Sequence, residues 1–162
     1  MHMKRLVFLL TLILLSLQAF TQDTLRGTVI KVHDGDTFTF KTEKDSILKI
    51  RMKDIDAPEL SQPYGKESRK YLLKYLNKNC RVVVYNYDKY GRLIGFLLYS
   101  RSNININSVK SGNAWNYATY NHDIRFTNAQ AYAQKHNLGL WARPQPIPPW
   151  IWRKNHQQSS NE

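Results

Sequence analysis

Three charged side chains that could do chemistry together, Arg51, Asp56 and Glu59, lie within one short segment of the chain. The segment 49–59 reads Lys-Ile-Arg-Met-Lys-Asp-Ile-Asp-Ala-Pro-Glu and stops being strand-like at Pro58. An arginine fork binds anions, whereas carboxylates bind cations or accept protons from a reacting group. Because catalytic groups are commonly held on loops of a rigid scaffold, this segment is the first candidate for a functional site.

A second pair of acids, Asp34 and Asp36, flanks a glycine in the segment 33–37, His-Asp-Gly-Asp-Thr. Asp-Gly is a common turn sequence, so an ordinary turn explains the pair without any ligand. A calcium-binding EF-hand loop is excluded, because Phe38 and Thr39 stand where that loop needs an oxygen ligand and a glycine.

Our central prediction is that Asp36 and Asp56 meet across paired strands and hold a hard cation, with Arg51 and Glu59 beside it. In a chain with an excess of basic residues, acids that gather beside a proline-stopped strand favour a cation site or a proton-transfer role. The alternative is that all four side chains are solvated surface charges, which is the fate of most charged residues.

A further arginine, Arg92, ends the segment 88–92, Asp-Lys-Tyr-Gly-Arg, whose glycine suits a tight turn. Two arginines that converge with a carboxylate suit a phosphoryl group, because arginine forks match phosphate geometry and neutralise the charge that builds on it. A basic turn without any such role is the alternative.

The elements that must position these residues are mostly strands. Alternating or β-branched stretches bounded by turn residues predict five of them, in two groups of neighbours. They are Leu25–His33, Thr37–Thr42, Ile47–Ile55, Arg81–Tyr87 and Leu93–Tyr99.

Three helices are predicted between and after these strands: Lys66–Asn77, Ile106–Ser111 and Thr127–Asn137, the last capped by Thr127 or Asn128. A helix between the third and fourth of five strands is typical of a small closed barrel of the OB type. We therefore predict a mainly β fold with helices (α+β), a five-stranded OB-fold barrel with about three α-helices.

The composition favours a polyanionic partner. The chain has 162 residues, with 24 Lys or Arg against 12 Asp or Glu, and a formal net charge of +12. This length predicts a single domain, and this charge favours nucleic acid or an acidic surface, although basicity can also serve solubility alone. Ten tyrosines and four tryptophans could stack on bases or simply pack in the protein.

Residues 1–21 are predicted to be a secretory signal peptide. Lys4 and Arg5 precede an apolar run, Leu6–Leu17, which is shorter than the ~20 residues that a membrane span needs. Cleavage near Thr21 would leave a chain without a membrane segment, secreted or periplasmic. An uncleaved anchor is the alternative.

The folded domain is predicted over residues 22–143, and residues 144–162 form a tail that contains Pro and Trp. The prolines of Pro144–Pro149 argue against regular structure, whereas Trp150 and Trp152 could pin the tail onto the domain. The last few residues are predicted to be disordered. Cys80 is the only cysteine, so no intramolecular disulfide can form, and no Cys/His spacing indicates zinc.

Five short motifs occur in a characteristic order: Val32-His-Asp-Gly-Asp-Thr37, Ile50-Arg-Met-Lys-Asp-Ile-Asp-Ala-Pro-Glu59, Tyr64-Gly-Lys-Glu-Ser68, Asp88-Lys-Tyr-Gly-Arg92 and Gly139-Leu-Trp141. Together they resemble the staphylococcal-nuclease-like, or thermonuclease, family over roughly residues 25–153. One motif alone would be weak, but five in order make the resemblance specific. The segment 146–153, Pro-Ile-Pro-Pro-Trp-Ile-Trp-Arg, is similar to the tail of bacterial secreted members.

The resemblance implies a Ca²⁺-dependent phosphodiesterase that acts on DNA and RNA and leaves 3′-phosphate products. It implies that Asp36 and Asp56 bind Ca²⁺ through their carboxylates and that Ala57 adds its main-chain carbonyl. The founding member has threonine at the position of Ala57, a difference that matters little for a main-chain ligand.

The resemblance also implies the catalytic roles. Glu59 would be the general base that activates water, and Arg51 and Arg92 would bind the phosphate and stabilise the five-coordinate transition state. The family breaks the bond to the 5′ oxygen.

Four more residues match the nucleotide site of the family. Lys89 and Tyr90 correspond to its nucleotide-pocket turn, and Tyr117 and Tyr120 correspond, with shifted spacing, to two tyrosines after its second helix. The loop Leu60–Tyr64 is shorter than the lysine-rich loop of the founding member, so we expect the rim of the groove to differ.

The implied partners are DNA and RNA substrates. No stable protein partner is implied, and we expect a monomer. One alternative is a non-catalytic OB module that binds nucleic acid, but family relatives of that kind lose the acids and arginines that this chain retains. Another alternative is an extracellular module that binds acidic glycans, which explains the charge but not the paired acids.

Overall fold

The computed structural model describes residues 23–119 and 123–158. In chain order its strands are β1 (Thr24–Val32), β2 (Thr37–Thr42), β3 (Ile47–Met52), β4 (Ile55–Asp56), β5 (Asn79–Tyr87), β6 (Leu93–Tyr99), β7 (Ser102–Asn103) and β8 (Trp115–Asn116). Its helices are α1 (Gly65–Leu73), α2 (Ile104–Lys110), α3 (Ile124–Lys135) and α4 (Pro149–Gln158), with a 3₁₀ turn at Gly139–Ala142.

Five strands form a closed mixed barrel in the order β3-β2-β1-β5-β6, with antiparallel pairing between these neighbours. The barrel closes because β3 also pairs in parallel with β6, where Arg51 lies opposite Ile94. Side chains alternate between the two faces of each strand, so every second residue points into the barrel. In β2 these inward residues include Phe38 and Phe40, which are fully buried. The predicted α+β fold with an OB-type barrel is confirmed.

The third strand is shorter than the sequence predicts. It ends at Met52 rather than Ile55, because Asp54 takes a left-handed backbone conformation with a φ of 65°. This turn redirects the chain into β4, which pairs antiparallel with β8, so that Asp56 lies opposite Trp115. The expectation that Asp36 and Asp56 lie on strands paired with each other is therefore wrong, although both side chains reach the same arginine.

The helices also depart from the predicted boundaries. α3 begins at Ile124, before Thr127, because the Asp123 carboxylate caps it by accepting a hydrogen bond from the Arg125 backbone N–H at 2.9 Å. α4 is not predicted at all, yet it starts at Pro149, and proline is well tolerated at a first helical position. The described residues thus contain one more α-helix than expected.

The hydrophobic core fills the barrel and continues under α3. Phe126 of α3 is fully buried, and its ring centre lies 6.3 Å from that of Phe96 in β6, which ties the helix to the barrel. Burial raises the pKa of the Cys80 thiol to about 11, so this lone cysteine stays neutral at physiological pH. The other large buried side chains include Phe38, Phe40, Ile50, Met52, Leu72 and Leu97.

The predicted signal peptide over residues 1–21 lies outside the described residues, as do residues 159–162 at the end of the tail. Both predictions therefore stay predictions. Within the described part of the chain, no helix combines the length and the apolar content that crossing a bilayer requires.

Candidate active site

Asp36 stands at the start of β2 on a turn that a neighbouring acid closes. The Asp34 carboxylate accepts hydrogen bonds from the backbone N–H groups of Asp36 at 3.0 Å and Thr37 at 2.7 Å. Burial raises the pKa of Asp34, and the nearby charge of Arg51 opposes that rise. Asp34 is therefore the turn-forming acid that the Asp-Gly sequence indicates, and the turn presents Asp36, which is 2% exposed.

One arginine joins the two aspartates that the sequence analysis pairs. Arg51 of β3 forms ion pairs with Asp36 and, at 2.7 Å, with Oδ1 of Asp56. Asp56 is 0% exposed, and Oδ2 of Asp36 accepts a hydrogen bond from the backbone N–H of Ala57 at 2.7 Å. The fold thus brings Asp36, Arg51, Asp56 and Ala57 together from three separate elements.

Glu59 lies on the loop that follows β4, directly after Pro58. Its backbone N–H donates to the side-chain oxygen of Gln62 at 3.1 Å, and its carbonyl accepts from the Gln62 backbone N–H at 2.9 Å. The loop is therefore closed on itself, while the Glu59 side chain is 38% exposed. A carboxylate on a fixed loop with access to water is a candidate general base.

Arg92 ends the β5–β6 hairpin turn and is fixed there by Asp88. Its Nε donates to Asp88 Oδ2 at 2.7 Å, and its backbone N–H donates to Asp88 Oδ1 at 2.9 Å. Burial raises the pKa of Asp88, but the hydrogen bonds from Arg92 outweigh burial and hold that pKa below its ordinary value. Asp88 is thus ionised at neutral pH, and its side-chain contact with Arg92 uses Nε and not the Nη groups.

A cavity of about 470 Å³ connects these groups. Asp56 is not among the lining side chains, because it lies fully buried beneath the cavity wall. The predicted site residues that line the cavity are Asp36, Arg51, Ala57, Glu59, Lys89, Tyr90, Arg92 and Tyr117.

The residues assigned to a nucleotide lie at the rim of this cavity. Lys89 and Tyr90 are exposed at the hairpin tip, where the Lys89 ammonium lies 5.1 Å from the centre of the Tyr90 ring. Tyr117 is fixed by its backbone N–H, which donates to the Asp54 carbonyl at 3.0 Å. Tyr120 lies outside the described residues, so its assignment stays a prediction.

Arg153 of α4, which the sequence analysis does not assign to the site, also lines the cavity. Its Nη2 donates to Asp56 Oδ2 at 2.7 Å, and its Nη1 donates to Glu59 Oε1 at 2.7 Å and to Asp56 Oδ1 at 3.2 Å. Burial lowers the pKa of Arg153, but the hydrogen bonds to Asp56 and Glu59 outweigh burial and raise it above the ordinary value. The sequence signal is the spacing Trp150–Arg153, which puts both side chains on one face once the helix is recognised.

Comparison with known proteins places the chain among its relatives. A family model described as staphylococcal nuclease homologue matches residues 49–143. The chain belongs to the staphylococcal nuclease family. A Haemophilus influenzae protein of this kind, named an uncharacterized endonuclease, is 39% identical over 155 residues, which are 95% of this chain and 87% of that protein.

Two further relatives differ in how much of their length they share with the chain. An Escherichia coli protein, also named an uncharacterized endonuclease, is 36% identical over 132 residues, 80% of this chain and 85% of that protein. A probable staphylococcal-like nuclease of Oryza sativa subsp. japonica is 38% identical over 115 residues, 70% of this chain but 31% of the plant protein. The chain spans most of the bacterial relatives and less than half of the plant one.

The oxygen donors of the two aspartates are of the type that a hard divalent cation binds. Asp36 and Asp56 are 2% and 0% exposed, so their charges need cationic partners, and Arg51 and Arg153 supply these. Oxygen ligands of this type are those that Ca²⁺ prefers. Within residues 23–119 and 123–158, no three His, Cys, Asp or Glu side chains form a metal-binding group, so backbone, water and substrate oxygens would complete the ligand set.

Gly35 allows the turn that carries Asp36 to pack directly on α1. A Cβ at this position would clash with Ser68 Oγ and lie 2.7 Å from Ala57 Cβ. Ser68 cannot easily move, because it is fully buried and its Oγ donates to the Asn113 carbonyl at 2.6 Å. We expect Gly35→Ala to push the turn outward and to lower the free energy of unfolding by about 1–3 kcal/mol.

Urea denaturation measures this loss. Ser61→Ala on the exposed neighbouring loop is a suitable control. A midpoint for Gly35→Ala equal to that of the parent would contradict the packing argument.

Proposed function

We propose that this chain is a Ca²⁺-dependent nuclease that hydrolyses phosphodiester bonds of DNA and RNA and leaves 3′-phosphate products. Its family, and relatives named endonuclease or staphylococcal-like nuclease, support a hydrolase that acts on nucleic acid. The observation that carries the finer proposal is the convergence of Glu59, Arg51 and Arg92 on one cavity, which Asp36 also lines and beneath which Asp56 is buried.

Glu59 would act as the general base. It would take a proton from a water molecule while the water oxygen bonds to phosphorus and the bond from phosphorus to the 5′ oxygen breaks. The leaving oxygen takes a proton from solvent, and the 3′ side retains the phosphate. A positioned base of this kind contributes about 10²–10⁴ in rate.

Arg51 and Arg92 would bind the non-bridging phosphate oxygens and stabilise the charge that grows on them. Arg51 is rigid because it is anchored on Asp36 and Asp56, and Arg92 is rigid because Asp88 holds its Nε. Preorganised donors of this kind need little rearrangement during the reaction, which makes them effective.

Asp36 and Asp56 would hold Ca²⁺ through carboxylates, and Ala57 would add its backbone carbonyl. The bound ion would neutralise phosphate charge and orient the substrate. Lys89, Tyr90, Tyr117 and Tyr120 would bind the nucleotide next to the broken bond.

A basic groove beside the cavity offers a path for a polynucleotide. The groove has a volume of about 870 Å³, carries the cations Lys31, Lys66 and Arg69, and shares Glu59 with the cavity. A strand that crosses Glu59 would meet these cations with its neighbouring phosphates, and its affinity should therefore fall as salt rises.

We also propose that the protein is exported as a monomer, secreted or periplasmic, after removal of residues 1–21. The support is the positive start and short apolar run of that segment. N-terminal sequencing of the exported protein should begin near Gln22, and an exported chain that retains Met1 would contradict the cleavage.

The nuclease proposal is tested by incubating the mature chain with plasmid DNA and with RNA in Ca²⁺ or in EGTA. We expect both substrates to be cut in Ca²⁺, neither to be cut in EGTA, and the new ends to carry 3′-phosphates by mass spectrometry. Salt-sensitive binding without cleavage in any metal would instead indicate a nucleic-acid-binding module.

A further inference from the structure

The segment after the family match, residues 144–158, is tied to the loop that carries the proposed base. Gln62 makes the connection: its Nε2 donates to the Ile147 carbonyl at 2.6 Å, and its Oε1 accepts from the Glu59 backbone N–H at 3.1 Å. Gln62 is 6% exposed, so both hydrogen bonds are sheltered from water. The tail and the Glu59 loop are therefore held by one side chain.

An aromatic contact fixes the helix that follows. Trp150, in the first turn of α4, packs against Trp115 and Tyr117, with ring centres 5.8 and 5.5 Å away. Trp115 lies opposite Asp56 in the β4–β8 pair, so the same two strands carry the docking surface and the buried aspartate. Since Arg153 follows Trp150 by three positions, both side chains lie on one face of the helix. When Trp150 packs against Trp115 and Tyr117, Arg153 is therefore placed at the cavity.

We propose that Arg153 is a positioning residue of the active site, which ties Glu59 to Asp56 and thereby fixes the base relative to the metal ligand. The inference rests on the proposed function. Nη2 contacts Asp56 and Nη1 contacts Glu59, both at 2.7 Å, so the two ends of one planar fork set the separation of the two carboxylates. Arg153 lies outside the matched residues 49–143, and the family motifs assign it no role.

The positioning role depends on the planar shape of the Arg153 guanidinium as well as on its charge. A lysine at the same place offers a single ammonium on a flexible stem and cannot hold two carboxylates in a fixed plane. A positive charge beside the ligands of a cation also opposes binding of that cation. Loss of Arg153 should therefore harm turnover while Ca²⁺ affinity stays equal or increases, a combination that a merely structural contact does not produce.

The experiment uses the mature full-length chain and compares Arg153→Ala and Arg153→Lys with Lys154→Ala. Lys154 is exposed on the same helix, and its loss removes the same charge. At saturating Ca²⁺ on a defined oligonucleotide, we expect kcat of Arg153→Ala to fall about 10-fold to 100-fold, as for a misplaced catalytic group. KM should stay within about threefold, Arg153→Lys should recover little, and Lys154→Ala should match the parent.

Two further readouts separate positioning from damage to the fold. Millimolar guanidinium ion should restore part of the kcat of Arg153→Ala and leave Lys154→Ala unchanged. Calorimetric titration with Ca²⁺ in the absence of substrate should show equal or tighter binding in Arg153→Ala. A thermal midpoint close to that of the parent is expected for each variant, because Arg153 lies outside the barrel strands and Asp56 keeps its ion pair with Arg51.

The contrary outcomes are distinct. A kcat of Arg153→Ala within about twofold of the parent, or a loss confined to KM, would overturn the positioning role. Ca²⁺ binding weakened about tenfold in Arg153→Ala would overturn it as well. Arg153 would then support Ca²⁺ binding by Asp56 and would not act by positioning Glu59. A parent that cuts no nucleic acid in Ca²⁺ defeats the proposed function together with this inference, whereas an active parent with an equally active variant defeats the inference alone.

Discussion

Glu59→Gln is expected to lower kcat by at least about 100-fold, because the amide retains the size of the side chain but cannot accept a proton from water. The loop that carries Glu59 should keep its shape, since its contacts to Gln62 use backbone atoms of Glu59. The amide oxygen can still accept a hydrogen bond from Arg153. Single-turnover measurement on a defined oligonucleotide at saturating Ca²⁺ isolates the chemical step.

The matched control is Glu67→Gln, which makes the same chemical change on the exposed face of α1. It should leave kcat unchanged, and both variants should bind the oligonucleotide with the affinity of the parent. If Glu59→Gln retained activity within about twofold of the parent, Glu59 would have no place in the mechanism, and another group would have to activate water.

The barrel could be predicted because the sequence patterns that determine it lie within single strands and turns. Alternation of large apolar side chains, as at Phe38 and Phe40, sets which face of a strand is buried, and Asp-Gly or Gly at the turns sets where strands end. The same alternation places Arg51 on the opposite face from Ile50 and Met52, both of which are buried. The convergence of Arg51 with Asp36 follows from the pairing of β2 with β3, where Thr37 lies opposite Arg51.

The path of the chain after Met52 was not predictable in the same way. Residues 47–55 alternate well enough for one continuous strand, but Asp54 adopts a left-handed conformation, and Asp56 then pairs with β8. The partner strand β8 lies about 60 residues further along the chain, and no pattern near Asp56 predicts the pairing. The two aspartates therefore contact the same arginine, Arg51, but the predicted pairing of their strands is wrong.

The tail was missed for a related reason. Its prolines argue against a helix everywhere except at a first helical position, which Pro149 occupies. The carboxylates that Arg153 contacts, on Asp56 and Glu59, are 97 and 94 residues away in the chain, so their contact depends entirely on the docking of α4. The spacing within the tail predicts that Trp150 and Arg153 share one face of a helix. It does not predict that this face contacts Asp56 and Glu59.

The two arginines assigned to the phosphate differ in how the fold holds them. Arg51 is engaged by two aspartates and contributes to their charge balance, so its replacement would disturb the proposed metal ligands as well. Even Arg51→Lys should be harmful, because one ammonium cannot pair with both acids in the same geometry. Arg92 contacts Asp88, which lies outside the proposed metal site, and it is therefore the cleaner test of transition-state stabilisation.

Arg92→Ala is expected to lower kcat at least about 100-fold, as the removal of a preorganised donor to developing charge does in other enzymes. Ca²⁺ affinity should change little, because the proposed ligands Asp36, Asp56 and Ala57 do not contact Arg92. Arg92→Lys should restore only part of the loss, since a point charge lacks the fork that matches two phosphate oxygens. Steady-state kinetics with calorimetric Ca²⁺ titration of the same samples measure both effects.

The informative control is Arg101→Ala, which removes an exposed arginine in the turn between β6 and β7 with the same change in net charge. If the net charge of the protein governed activity through attraction of the polyanion, Arg101→Ala and Arg92→Ala would lose similar amounts, and the loss would appear in KM and vanish at high salt. If Arg92 acts on the transition state, its loss persists at saturating substrate and at every salt concentration. Equal behaviour of the two variants would therefore remove Arg92 from the catalytic step and leave it a role in attracting substrate.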